Sequence, residues 1–459
     1  MRKFAFVLVF VALIAAGFYA GAGYLDGPAV EIVSPQRFVG VSTPLEVTID
    51  TPGGQLSSLT VEFEQNGTRT PLVVDRGVPP APTGQALAPD RVRLSQTLSR
   101  ETVPGLQSGP GRVIVTASRP VLYGTRDLET VVARDVEVRL ERPRLAVLST
   151  HHYINQGGAE MVVYRVTPED VRSGVMVGEV MYPGYPASGI DVDDVRIADP
   201  AARVAFFALL YDQPLEAPIR LVAEDEAGNA ATAAVDFRVF PKPFKNSRIE
   251  LDDPFLERVV PAILAGTDEV HPEGPTIDQY VVINSELRRL NAARIGSFAG
   301  ETVPDLLWRG EVFHPFTNNA VESAFADRRT YFYQGREVDR QVHLGFDLAS
   351  YAQTPIVAAN RGRVLFTGEL GIYGNTVIID HGMGLQSLYA HLSSIDVAPG
   401  VLVDKNQPIG RSGMTGLAGG DHLHFTMLLN GQMINPVEWW DAHWIEDRIL
   451  RKLRAAAMP

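Results

Sequence analysis

Six of the ten histidines of this chain lie in its last quarter, at positions 343, 381, 391, 422, 424 and 443. Imidazoles gathered in this way suggest metal or proton-transfer chemistry, so their local spacing matters. In Val342-His343-Leu344-Gly345-Phe346-Asp347-Leu348, an extended backbone puts His343, Gly345 and Asp347 on one face and the apolar residues on the other. Asp421-His422-Leu423-His424-Phe425 does the same for His422 and His424, and Leu388-Tyr389-Ala390-His391-Leu392 does so for Tyr389 and His391. Imidazole and carboxylate donors suit zinc, which in a catalytic site takes three protein ligands and keeps one position open. His381, just before Gly382-Met383-Gly384, reads as a structural residue at a strand-to-turn junction. His314 and His443 also read as structural, and His151 and His152 carry no spacing signal.

The elements that must hold these residues are mostly β. Residues 28–142 form one expected β-sandwich domain: Leu45–Asp50 and Leu59–Glu64 alternate with period two, Asn66-Gly67 marks a turn, and Arg112–Thr116 and Asp135–Leu140 read as strands. Residues 143–240 repeat the style, with strands expected at Glu160–Val166, at Val204–Leu210 and on both sides of Glu226–Asn229. Two such blocks suggest two immunoglobulin-like sandwiches that hold the C-terminal part away from a membrane. The acidic trio Asp191, Asp193 and Asp194 lacks EF-type spacing and reads as an exposed loop. Residues 241–335 comprise a linker, Pro241-Lys242-Pro243, and a helical module with helices over Pro254–Leu264 and Thr276–Ile295. The latter carries an Ile283, Leu287, Leu290 and Ile295 stripe. Residues 336–440 hold the histidine motifs, and 441–459 form a terminal helix with Ile445, Ile449 and Leu453 on one face and the cations Arg448, Arg451, Lys452 and Arg454. That helix reads as docked on its own domain.

Composition narrows the function. The 459 residues carry a formal charge of −13, which argues against general nucleic-acid binding because no cation excess is available to neutralise phosphates. There is no cysteine, so a metal site must be built from His and carboxylate. Arg2 and Lys3 precede an uncharged run from Phe4 to Leu25, which predicts an N-terminal transmembrane helix with the remainder of the chain exported. A signal peptide cleaved near Ala20-Gly21-Ala22 is the alternative.

The motifs resemble those of the lysostaphin-like, LytM-type zinc metallopeptidases, many of which hydrolyse peptidoglycan. The pattern H-x-G-x-D, Y-x-H-L and H-L-H-F stands here as His343–Asp347, Tyr389–Leu392 and His422–Phe425, over about residues 336–440. Gly374–Gly382 and Gly410–Gly416 also match the family. Ala418-Gly419-Gly420-Asp421 departs from the Ser-Thr-Gly common there. The resemblance implies a C-terminal antiparallel β-sheet metallopeptidase domain with one Zn2+ held by His343, Asp347 and His424. It implies His391 and His422 as the catalytic pair and does not divide base from oxyanion donor between them. Tyr373 and Tyr389 are cleft-wall candidates. The implied activity is endopeptidase cleavage of peptidoglycan peptide cross-links in the bacterial cell envelope, with the protein anchored in the inner membrane and its bulk in the periplasm. Two other readings are a non-catalytic activator of another cell-wall hydrolase and a zinc protease acting on proteins.

Overall fold

A computed structural model describes residues 2–21, 26–51, 56–75, 84–88, 90–122, 124–192, 195–316 and 318–457. Asp193 and Asp194 of the acidic trio, and Ala22 of the candidate cleavage site, lie outside them. The chain divides into two compact units, residues 1–143 with 224–231, and residues 144–223 with 232–459.

In the first unit Arg2–Gly21 is a helix. No helix among the described residues is long and apolar enough to cross a membrane, so the expected transmembrane span receives no support. The rest of the unit is a four-stranded and a five-stranded sheet with a common core. Leu45, Val47 and Ile49 of strand Ser42–Asp50 and Val61 and Phe63 of strand Ser58–Gln65 all point inward, following the period-two pattern. Asn66 and Gly67 both have positive φ, the backbone of the tight hairpin turn expected there.

The second unit contains the histidine motifs. Its central sheet has eight strands, in the order Ala320–Ser323, Phe346–Ala349, Leu423–Leu429, Leu385–Ala390, Asn375–Gly382, Gly362–Glu369 and Leu402–Val403, with Gln432–Ile434 pairing beside Leu423–Leu429. Both faces of this sheet are covered. Phe425, Met427, Leu385 and Tyr389 join a core that runs continuously into residues 154–235, including Met161, Phe206 and Phe207. Leu428, Leu388, Ala390 and Ile378 face the other way, onto Leu256, Val259, Ile263, Ile283 and Leu287 of the helical module. Leu423–Leu429 is therefore buried at every position, as expected of a strand covered on both sides.

Residues 144–223 and 232–240 thus share one core and one compact unit with the C-terminal domain. The helical module starts at Asp252, whose carboxylate accepts from Phe255 N–H and caps helix Asp253–Ala265. The next helical stretch is interrupted by a π-turn at Ile283–Leu287 between Thr276–Val282 and Arg288–Ser297. Strand Asn246–Leu251 lies parallel to Asp327–Tyr333, which forms a hairpin with Arg336–His343. The 335/336 boundary falls inside that hairpin. The terminal helical stretch buries Ile445, Ile449 and Leu453 as expected. Lys452 is buried with them and pairs with Glu160 of strand Ala159–Thr167.

Candidate active site

Sheet register assembles the site. Asp347 lies directly across from His424 in the pairing of Phe346–Ala349 with Leu423–Leu429, and Ala390 flanks His424 on the other side. His343 ends the neighbouring hairpin strand, fixed there by the Ala326 N–H bond to its carbonyl at 2.7 Å. The H-x-G-x-D segment is not one strand, as its spacing suggested. His343 closes one sheet and Phe346 opens another. Gly345 fills the break because the His424 ring lies over it: a Cβ there would sit 2.5 Å from Cε1 and from Nε2 of His424.

His343 Nε2, Asp347 Oδ1 and His424 Nδ1 converge, with separations of 2.9, 3.0 and 3.0 Å. His343 Nδ1 donates to the Ala324 carbonyl at 3.1 Å, which turns Nε2 inward. His391 and His422 complete the group. Nδ1 of each donates to a carbonyl, that of Thr415 and of Gly420 respectively, both at 2.8 Å, which leaves Nε2 of a neutral His391 as an acceptor, whereas Nε2 of His422 is turned toward the Asp347 carboxylate. Their rings lie 4.8 Å apart, and His422 Nε2 is 3.5 Å from Asp347 Oδ1. All four histidines are buried.

Tyr389 and His391 do not share a face. Tyr389 faces the core against Phe425, and its hydroxyl accepts from Ala359 N–H and Ser387 Oγ. His391 follows the strand end with φ of 62°, a left-handed turn that swings its ring into the site. Tyr373 is buried, its ring centroid 5.5 Å from that of His424 in an edge-to-face arrangement. His381 is buried between the Arg361 carbonyl and Ser387 Oγ. His314 stacks near Trp440, and exposed His443 pairs with Asp447.

Electrostatics divide the groups. Burial pushes Asp347 up, but the His343 charge and the hydrogen bonds from His343, His422 and His424 win and hold it well below the usual carboxylate range. Burial, aided by the charges of His422 and His424, lowers His391 well below the ordinary imidazole value. His424 is pushed down to about 4, chiefly by burial. Burial also works against protonation of His422, but its hydrogen bond to Asp347 and that residue's charge outweigh it and raise the value. His391 is thus held neutral while His422 is biased toward the charged form, the separation an acid–base pair needs. The donor set is two imidazoles and a carboxylate gathered in a buried cluster, and this fits zinc.

The spacing arguments missed three supports. Arg329 Nη2 reaches Asp347 Oδ2 at 3.1 Å. Asp421 accepts from Ser412 Oγ and from Gln353 N–H, tying down the turn before His422. Helix Asp253–Ala265 is the third: Arg258 donates to the Ala418 carbonyl at 2.8 Å, and Arg258, Val259, Ala262 and Ile263 line a pocket of about 440 Å³ with Asn375, Met414 and Thr415. Thr415 is the residue whose carbonyl holds His391. None of these follows from the spacing of the histidine motifs, because each pairing is made by the fold between separate elements or loops.

Residues 341–436 match the family model Peptidase family M23. The chain is 43% identical over 97 residues to the DD-carboxypeptidase/endopeptidase Mpg of Neisseria meningitidis serogroup B, covering 21% of this chain and 22% of that protein. It is 38% identical over 96 residues to the peptidoglycan DD-endopeptidase ShyA of Vibrio cholerae serotype O1, with 21% and 22% covered. It is 35% identical over 95 residues to the murein hydrolase activator EnvC of Escherichia coli K12, with 21% and 23% covered. The chain thus spans about a fifth of the length of the curated relatives it matches.

Proposed function

Because its C-terminal part carries an M23 peptidase domain, we propose that this chain is a zinc-dependent endopeptidase that hydrolyses the peptide cross-links of bacterial peptidoglycan. It acts in the cell envelope, with its bulk outside the cytoplasmic membrane, where that substrate lies. The observation that carries the reading is the convergence of His343, Asp347 and His424 beside two further histidines, each oriented by an Nδ1–H bond to a backbone carbonyl. The relatives named as peptidoglycan DD-endopeptidase and DD-carboxypeptidase/endopeptidase support the substrate class.

In this reading His343 Nε2, Asp347 Oδ1 and His424 Nδ1 hold the ion. Zinc, when bound, supplies Lewis acidity toward an amide carbonyl and a water molecule. His391, kept neutral by burial and oriented by the Thr415 carbonyl, takes the proton from the attacking water. His422, favoured in its charged form by Asp347, donates to the developing oxyanion or to the leaving amine. Both imidazoles are pre-set by their carbonyl bonds, so neither has to reorient during the reaction.

The match to a protein named a murein hydrolase activator supplies a second reading, recruitment without catalysis. The complete five-residue set speaks against it. Zinc content and cleavage of a purified cross-linked muropeptide, measured on the same preparations, separate the two. The wild type binds about one zinc and cleaves, and folded His424→Ala does neither. A zinc-loaded wild type that does not cleave but stimulates a second hydrolase establishes the activator reading instead.

A further inference from the structure

The two oxygens of Asp347 face different surroundings. Oδ1 points at His343 Nε2, His424 Nδ1 and, at 3.5 Å, His422 Nε2. Oδ2 points away from them and accepts from Arg329 Nη2 at 3.1 Å. Arg329 comes from strand Asp327–Tyr333, whose register with Arg336–His343 sets Asp327 opposite His343. The strand that places the His343 ligand therefore also fixes the base of the Arg329 side chain. Its guanidinium is anchored further: Nη2 also donates to Ser323 Oγ at 2.6 Å, and Nε lies 3.5 Å from Asp327 Oδ2. The side chain is only 20% exposed, and Asp327 beside it is 2% exposed. A largely buried guanidinium aimed at one oxygen of a carboxylate is a directional contact, unlike a solvated surface pair.

We propose that Arg329 is a positioning residue of the metal site: by holding Oδ2 it leaves only Oδ1 of Asp347 for the ion and keeps that oxygen aligned with His343 and His424. Ser323 and Asp327 hold the arginine in place. Arg329 touches neither substrate nor ion and acts through Asp347. The inference rests on the reading that His343, Asp347 and His424 bind zinc. It does not depend on what the enzyme cleaves.

The test is zinc affinity of the full chain by competition with a chromophoric chelator, beside thermal unfolding of the zinc-free protein. Outer partners of ligating groups typically contribute 10–100-fold to metal affinity. Arg329→Met is expected to weaken zinc binding by roughly 10–100-fold while remaining folded. Arg329→Lys, which restores charge without the fixed fork, recovers only part of that loss. Ser323→Ala, which removes one hydroxyl from the surroundings of Arg329, weakens binding several-fold with little effect on folding. If Arg329→Met does not fold, Ser323→Ala carries the decision. Wild-type zinc affinity in folded Arg329→Met, full recovery in Arg329→Lys, or unchanged affinity in Ser323→Ala overturns the proposal. A wild type that binds no zinc overturns the proposed function instead, and the two failures are distinct.

Discussion

Lys452→Met tests how the C-terminal helix is held to the β-region. The ammonium lies 2.6 Å from Glu160 Oε1 and 2.9 Å from the Met161 carbonyl, with side chains 5% and 0% exposed. Methionine keeps most of the aliphatic stem, so the change removes charge more than volume. Glu160 would keep two backbone donors, Tyr153 N–H at 2.8 Å and Met161 N–H at 2.7 Å. Removing one partner of a buried ion pair costs about 3–5 kcal/mol. The two retained donors place this case near the lower end, at about 3 kcal/mol. At roughly 2–4 °C per kcal/mol for a large domain, the melting temperature of the second unit should fall by about 6–12 °C. Burial raises Glu160 and lowers Lys452, so desolvation outweighs their attraction for both. It follows that neutralising both should cost less than neutralising one, and Glu160→Gln with Lys452→Met should recover most of the loss. Differential scanning calorimetry of the full chain reads both. A Lys452→Met protein melting within about 2 °C of the parent, or a double variant no better than the single, refutes the reasoning.

Three further outcomes are expected. Gly345→Ala puts a methyl group 2.5 Å from the His424 ring, and overpacking of this kind costs about 1–3 kcal/mol. Zinc affinity should fall about tenfold or more, and unchanged affinity in a chelator competition contradicts this. Tyr389→Phe leaves Ala359 N–H buried without its acceptor, so it should lose about 1–3 kcal/mol in denaturant unfolding while hydrolysis per folded molecule is unchanged; a lowered turnover would put Tyr389 in the cleft after all. His381 is lowered to about 4 by burial, against 6.5 when free. The unfolded chain therefore takes up the proton first. Stability from this group is complete above pH 6.5 and declines by roughly 3 kcal/mol as the pH falls to about 4. Denaturation midpoints at several pH values should fall less steeply in His381→Gln, and identical slopes would contradict the assignment.

The candidate site was largely legible because its residue types are rare and closely spaced in sequence. Asp347 and His424 meet across one sheet register, His343 joins them from the end of a neighbouring strand, and Leu423 and Phe425 turn into the core, away from His424, as alternation requires. Alternation failed where the backbone leaves the extended region. His391 has positive φ, so Tyr389 two residues earlier faces the opposite side. A second failure has a different cause. The spacing of the terminal helix does not reveal the pairing of Lys452, because its partner Glu160 is 292 positions away. Arg329, Asp421 and Arg258 are ordinary charged residues until the fold brings them to Asp347, Ser412 and the Ala418 carbonyl. The shared core had the same invisibility: strand Ala202–Ala208 reads as the buried strand of any sandwich, and nothing local says that Phe206 packs near Trp439. In the first unit the period-two pattern of Leu45–Ile49 and Val61–Phe63 marks the residues that enter the core.

His343, Asp347, His424, His391 and His422 are proposed to form a zinc endopeptidase for wall peptides. Mass spectrometry of the soluble products released from purified sacculi tests it most directly, with zinc-loaded wild type and His391→Ala compared at equal concentration. Wild type should release fragments whose cross-links are opened by hydrolysis of one amide, and His391→Ala should retain its zinc and release none. Zinc-loaded wild type that leaves the cross-links intact, or His391→Ala that opens them at the wild-type rate, would contradict it.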